Sequence, residues 1–165
     1  MSKLTLIPIL VGLVIPAASS QAEEIDFYKQ IYPFVKSGCV KCHQPPYARR
    51  PERPDRLSKP KADIILTSPE EILKAEDEDG NKILVPGKPD ESRMLEVTKL
   101  PIDDDYHFPP EGKAPQWTDA EKELFAKWIE QGANFGDWEG DEDLPYDPDW
   151  DMKEKEPGTV ETWDE

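Results

Sequence analysis

Ser37-Gly38-Cys39-Val40-Lys41-Cys42-His43-Gln44 is the stretch from which the rest of the chain can be read. Two thiols three positions apart can reach the two vinyl groups of one haem, while the imidazole that follows comes under the iron as an axial ligand. The chain has two cysteines and two histidines in all, so chance would assemble this pentapeptide about once in seven thousand. The expectation is c-type attachment of a single haem c, with Cys39 and Cys42 binding the cofactor and His43 as proximal iron ligand.

Two other chemistries use the same residue types. A dithiol redox pair wants its Cys-x-x-Cys at the start of a helix that follows a buried strand, and neither Ser37-Gly38 nor Gln44-Pro45-Pro46 resembles that setting. A zinc site could draw on Cys39, Cys42, His43 and His107. Adjacent Cys42 and His43 would then have to bend onto one tetrahedral ion, whereas structural sites usually come as two separated pairs.

Upstream, Phe27, Tyr28, Ile31, Tyr32, Phe34 and Val35 recur at helical spacing, interrupted by Pro33. Proline suits a first helical turn and not an interior one, so the helix should restart or kink at Pro33 and deliver the cysteines from its last turns. Gly38 is expected to leave room for the macrocycle against the backbone. Downstream, Gln44 to Pro60 holds five prolines, four arginines and Lys59 with little apolar periodicity, and reads as an extended surface loop. It is either a solvated loop or a cover for a haem edge that pairs with propionates.

Ser68-Pro69-Glu70-Glu71 has the chemistry of a helix start, and Asp77 to Asn81 that of a turn. Ile83 to Val85 is a short apolar run closed by Pro86-Gly87-Lys88-Pro89. Asp90 to Leu95 can form a helix, with Met94, Leu95 and Val97 directed inward. Tyr106-His107-Phe108-Pro109-Pro110 should be extended, because a residue before proline is pushed out of the helical region. The clearest helix is the last. Thr118 caps it, Glu121 completes a capping box, Ala120, Leu124, Phe125, Trp128 and Ile129 form one apolar face, and Gly132 stops it.

The two ends read differently from the middle. Residues 1–22 look like a secretory signal peptide, with Lys3 as the positive start, Leu4 to Ile15 as the apolar run and cleavage after Ala22. That run is too short to span a bilayer comfortably, so no stable membrane insertion is expected once it is removed. The expected location is periplasmic or secreted. Residues 23–139 form the expected domain, and 140–165 an acidic disordered tail. Loss of the signal peptide takes one lysine and no acid, so the formal charge of −16 becomes −17. Nucleic acid and anionic membranes would repel such a chain. A redox partner protein with a basic docking surface would attract it. With short helices and low hydrophobicity the protein core should be thin, and a covalent haem would supply the missing apolar mass.

Taken together, Ile31-Tyr32-Pro33-Phe34-Val35 before the motif, Val85-Pro86-Gly87-Lys88-Pro89 with Ser92, Pro109-Pro110, and Trp128-Ile129-Glu130-Gln131-Gly132-Ala133 resemble the planctomycete-type cytochrome c domain. The resemblance covers roughly residues 25–135. It implies an all-α, class I cytochrome c-like fold whose first and last helices cross above the haem. The family commonly has methionine directly before the Pro-Pro pair, where it resembles a sixth haem ligand. Here that position is Phe108, which cannot bind iron, and its neighbour His107 can. His107 is therefore the expected distal metal ligand, with Met94 or an open iron face as the alternatives. The function expected is an exported electron carrier and not an enzyme. A haem enzyme or gas sensor with an open distal site is the alternative, and a structural zinc module a third.

Overall fold

The computed structural model describes residues 23–146. The expected signal peptide and the part of the expected tail beyond 146 lie outside the described residues. The fold is mostly helical with one small sheet. Helix α1 spans 27–40, α2 Pro69–Lys74, α3 Arg93–Lys99 and α4 Asp119–Glu130. The sheet pairs β1 (Tyr47–Ala48) with β2 (Leu57–Ser58) antiparallel, Tyr47 opposite Ser58. Among the described residues no helix is long and apolar enough to cross a membrane.

Helix α1 changes its winding at Pro33, which sits in the first turn of the α-helical stretch as its fixed backbone angle favours. It is π-wound over Phe27–Ile31, α-helical over Tyr32–Val35 and π-wound again over Lys36–Val40. Pro33 brings no N–H to the ladder, and the chain passes it by widening: the Tyr32 N–H reaches back five residues to the Phe27 carbonyl. Asp26 caps the start by accepting from the Lys29 N–H at 3.0 Å.

The last helix forms as its local signals require. The Glu121 N–H donates to Thr118 Oγ1 at 3.2 Å, and the Thr118 N–H donates to Glu121 Oε2 at 2.6 Å, closing the capping box. Phe125, Trp128 and Ile129 are buried, Leu124 is half-buried and Ala120 is exposed, so the apolar face starts one turn later than the pattern suggests. That face meets α1: Phe27 and Trp128 ring centroids lie 4.9 Å apart, Phe34 and Phe125 6.4 Å. Burying one such ring is worth roughly 1.5–3 kcal/mol.

The core extends beyond the helices. Phe135 stacks edge-on to Phe27 at 4.7 Å, and Trp138 packs on Tyr32 at 4.7 Å, so tryptophan and phenylalanine with no periodicity after α4 belong to the same buried cluster. The folded unit also runs past the expected boundary at Gly140. The Asp141 N–H donates to the Thr67 carbonyl at 2.8 Å, and the Asp141 carboxylate accepts from the Tyr32 hydroxyl at 2.5 Å and pairs with Lys36 at 3.0 Å. Tyr146 and Gln44 exchange two hydrogen bonds, each of 2.7 Å.

Between these ends, Ser68 caps α2 through the Glu71 N–H at 3.3 Å. Asp77 Oδ1 gathers the N–H groups of Asp79 and Asn81 at 3.0 and 2.8 Å, making the expected turn. Gly87, at φ +78°, donates its N–H to the Ile129 carbonyl at 2.7 Å, a contact that ties this turn to the end of α4. Fully buried Ser92 holds the same block together, accepting from the Val85 N–H at 2.9 Å and donating to the Lys88 carbonyl at 3.0 Å. Helix α3 begins at Arg93, after a 3₁₀ turn at Pro89–Glu91, and turns Met94, Leu95 and Thr98 inward. Val97, expected inside, is half-buried.

Candidate functional site

Helix α1 ends in the motif. The Cys42 and His43 N–H groups both reach the Cys39 carbonyl at 3.1 Å, so the two cysteines and the histidine occupy one closing turn. Cys39 packs half-buried against the core, Cys42 is exposed, and both are free thiols. Burial is the main cause that pushes the Cys39 thiol up to about 12, with a smaller contribution from neighbouring Cys42. A reactive Cys-x-x-Cys pair depends on a thiolate made easy by its surroundings. Cys39 has the opposite setting, which weighs against dithiol redox chemistry.

The loop that follows returns to clamp the turn from the other side. The Lys61 N–H donates to the Cys42 carbonyl at 2.9 Å, the Leu66 N–H donates to the His43 carbonyl at 2.8 Å, and His43 Nδ1 lies 3.2 Å from the Ile64 carbonyl. The expected extended loop at 44–60 is thus a small hairpin whose exit strand feeds this clamp. Facing a carbonyl oxygen, Nδ1 carries the ring hydrogen, and Nε2 is left as the nitrogen for a metal. Burial holds the His43 imidazole below its ordinary pKa, against the main-chain hydrogen bonds to Ile64 and Lys61 that act to raise it. Neutral imidazole is the form that ligates metal.

Gly38 has a role other than the one expected. A Cβ there would lie 2.9 Å from Trp117 Nε1 and 3.2 Å from Pro109 Cγ, so the space beside α1 is taken by the segment that leads into α4. Trp117 is buried, edge-on to Phe34 at 4.7 Å and to Phe125 at 5.1 Å. Its indole N–H is inaccessible to solvent and has no acceptor. Leaving such a donor unmatched costs about 1–3 kcal/mol, and it sits against the residue that precedes Cys39. By contrast, Trp128 Nε1 donates to the Asn134 carbonyl at 2.8 Å.

His107 is buried on the segment between α3 and α4, while Phe108, next to it, is 37 % exposed. The segment is a run of turns and not extended: the His107 N–H donates to the Asp104 carbonyl at 2.9 Å. His107 Nδ1 lies 2.8 Å from the Leu100 carbonyl and Nε2 2.6 Å from Gln116 Oε1. Gln116 in turn donates its amide Nε2 to the Pro109 carbonyl at 2.6 Å. Ile64, Gln116 and Trp117 carry no motif signal in the sequence, and only the folded chain brings them to the histidines. Met94 is a core residue, 7 % exposed.

Among the described residues no three His, Cys, Asp or Glu side chains come together as a metal-holding group, so Cys39, Cys42, His43 and His107 do not form the cluster that a zinc site requires. An open groove of about 790 Å³ lies elsewhere, between 24–29 and 134–143, and none of these four residues borders it. Its rim includes Glu24, Asp26, Asp137, Glu139 and Glu142, concentrating negative charge on that side. Comparison with family models, with curated proteins and with solved structures returns no match.

The residues present suit a covalent haem. Two free thiols and a carbonyl-anchored, neutral imidazole share one turn, and a buried N–H without an acceptor stands against Gly38, just before it.

Proposed function

We propose that this chain is an exported single-haem c-type cytochrome that carries one electron between protein partners. The observation that carries the reading is His43, clamped by the 61–66 segment with Nδ1 on the Ile64 carbonyl, directly after two free thiols. The order of the sequence blocks that resemble a planctomycete-type cytochrome c domain supports it, as does the contact of α1 with α4.

Cys39 and Cys42 would hold a haem as thioethers, each thiol adding its sulfur and hydrogen across one vinyl double bond. His43 would bind the iron through Nε2, and the Ile64 carbonyl holds the ring against rotation. When bound, a haem supplies a ferric–ferrous couple that accepts and returns one electron. His107 is the proposed distal ligand, with the Leu100 carbonyl holding its Nδ1 as Ile64 holds that of His43. The acidic surface favours a basic redox partner and predicts exchange that slows as salt rises.

A second reading has one observation in its favour. His107 Nε2 rests on Gln116, and if it stays there the iron keeps an open distal face, as in a haem enzyme or gas sensor. The test is to mature the protein with a c-type haem assembly system and stain for haem after denaturing electrophoresis. Staining should survive in the native chain and vanish in Cys39→Ala with Cys42→Ala. Staining that persists in the double variant would overturn the proposal. A low-spin ferric spectrum and slow carbon monoxide binding to the ferrous form favour the carrier, and rapid binding favours the open site.

A further inference from the structure

His43 and His107 share one arrangement: each turns Nδ1 to a main-chain carbonyl, Ile64 at 3.2 Å and Leu100 at 2.8 Å. They differ at Nε2. That of His107 faces Gln116 Oε1 at 2.6 Å, and the Gln116 amide nitrogen is committed to the Pro109 carbonyl at 2.6 Å. Turning the amide over would set its oxygen against another carbonyl oxygen, so Gln116 has no hydrogen to offer the ring. A neutral imidazole has one N–H. With carbonyl oxygens at both of its nitrogens, the single hydrogen serves one contact at a time: on Nε2 it binds Gln116, and on Nδ1 it binds Leu100 and leaves the Nε2 lone pair for a metal.

We propose that Gln116 is a positioning residue for the distal ligand, whose amide oxygen competes with iron for Nε2 of His107. The inference rests on the haem reading above. Its mechanical basis is that only a side chain has to move. Trp117, the next residue, is wedged between Phe34 and Phe125, and Thr118 is locked in the α4 capping box. The main chain at Gln116 is therefore fixed, and the Leu100 carbonyl accepts the ring hydrogen at Nδ1 once Nε2 gives up its contact with Gln116.

The experiment compares the matured holoprotein with Gln116→Ala and Gln116→Glu, measuring ferric spin state and carbon monoxide association to the ferrous form, with His107→Ala as reference. Removing the competing oxygen in Gln116→Ala should raise the low-spin fraction and slow carbon monoxide association about fivefold, the worth of one ordinary hydrogen bond. Gln116→Glu places a charged acceptor on Nε2, and should lower the low-spin fraction and speed association. A purely structural role would move both variants in the same direction. Changes of one sign in both, or rates unchanged in both while His107→Ala binds faster than the native protein, overturn the inference and leave the haem reading standing. A native chain that takes up no covalent haem sinks the reading itself and the inference with it.

Discussion

His43 is held by the main chain at its N–H, its carbonyl and Nδ1, whereas His107 has the main chain at one ring nitrogen and a side-chain amide at the other. The difference follows from how the two segments are built. The 61–66 segment comes back from a hairpin and donates main-chain N–H groups to both Cys42 and His43, so no single side chain decides the proximal geometry. The 100–117 segment is a series of main-chain turns, and at Nε2 of His107 it is closed by the Gln116 amide. Backbone clamps tolerate substitution and side-chain clamps do not. The turn at His43 is accordingly the permanent half of the candidate site, and the segment around His107 the adjustable half.

The sharpest way to break this comparison is to remove each ring in turn. His43→Ala should abolish the low-spin spectrum altogether, because nothing else in the closing turn can bind iron from that side. His107→Ala should keep covalent haem and a Soret band while opening the iron to carbon monoxide. Both are read from ferric and ferrous spectra, and equal effects of the two substitutions would erase the asymmetry.

A smaller effect is expected from Leu66→Pro, which deletes the N–H that donates to the His43 carbonyl at 2.8 Å. Leaving that carbonyl unpaired costs about 1–3 kcal/mol. The loss should appear as a lower denaturation midpoint in urea together with reduced haem retention, while the affinity of a His107→Ala protein for carbon monoxide stays the same.

The smallest effect concerns the strap at 141–146. Burial alone would raise the Asp141 pKa, but the Tyr32 hydroxyl and Lys36 outweigh it and hold the carboxyl below its ordinary value. A carboxylate depressed in the folded state contributes stability above its unfolded pKa of about 3.9, and that contribution is lost as pH falls through the lower, folded value. The urea midpoint of the native chain should therefore drop more steeply below about pH 4 than that of Asp141→Asn. Since the strap ends on Gln44, beside His43, the same acid range should loosen the proximal side first.

How much of this could be read in the sequence depends on the range of each interaction. The caps at Ser68 and Thr118, the turn at Asp77 and the end of α1 in the motif use partners within about five residues, and those were legible. Burial of Thr98 in place of Val97 was not. Its hydroxyl donates to the Leu95 carbonyl at 2.7 Å, and a polar group satisfied within its own helix can be buried where a polarity pattern places it outside. Phe135 and Trp138 follow no helical period, yet they complete the aromatic cluster because Asp141 draws their segment across α1. The acidic, proline-rich character from Gly140 onward suggested a free tail, and the partly buried contacts of Asp141 with Lys36 and Tyr32 outweigh it locally. In the candidate site, Cys39, Cys42 and His43 are a contiguous signal. Ile64 acts through a carbonyl, which has no side-chain signature, and Gln116 becomes relevant only when the segment folds back by nine residues.

The winding of α1 makes the meaning of a deletion there depend on where it falls. A π turn is an α-helix that has absorbed one extra residue without displacing its flanks, and Lys36–Val40, which follows the aromatic face and contains Cys39, is such a stretch. Loss of one codon at Lys36 would let the helix relax to regular winding, in which each residue accounts for about 100°. Phe27 and Phe34 would then keep their phase relative to Cys39, so the aromatic face could still dock on α4 while the cysteines meet the 61–66 clamp, whereas one residue lost from the regular Tyr32–Val35 stretch would turn the two apart by about 100°.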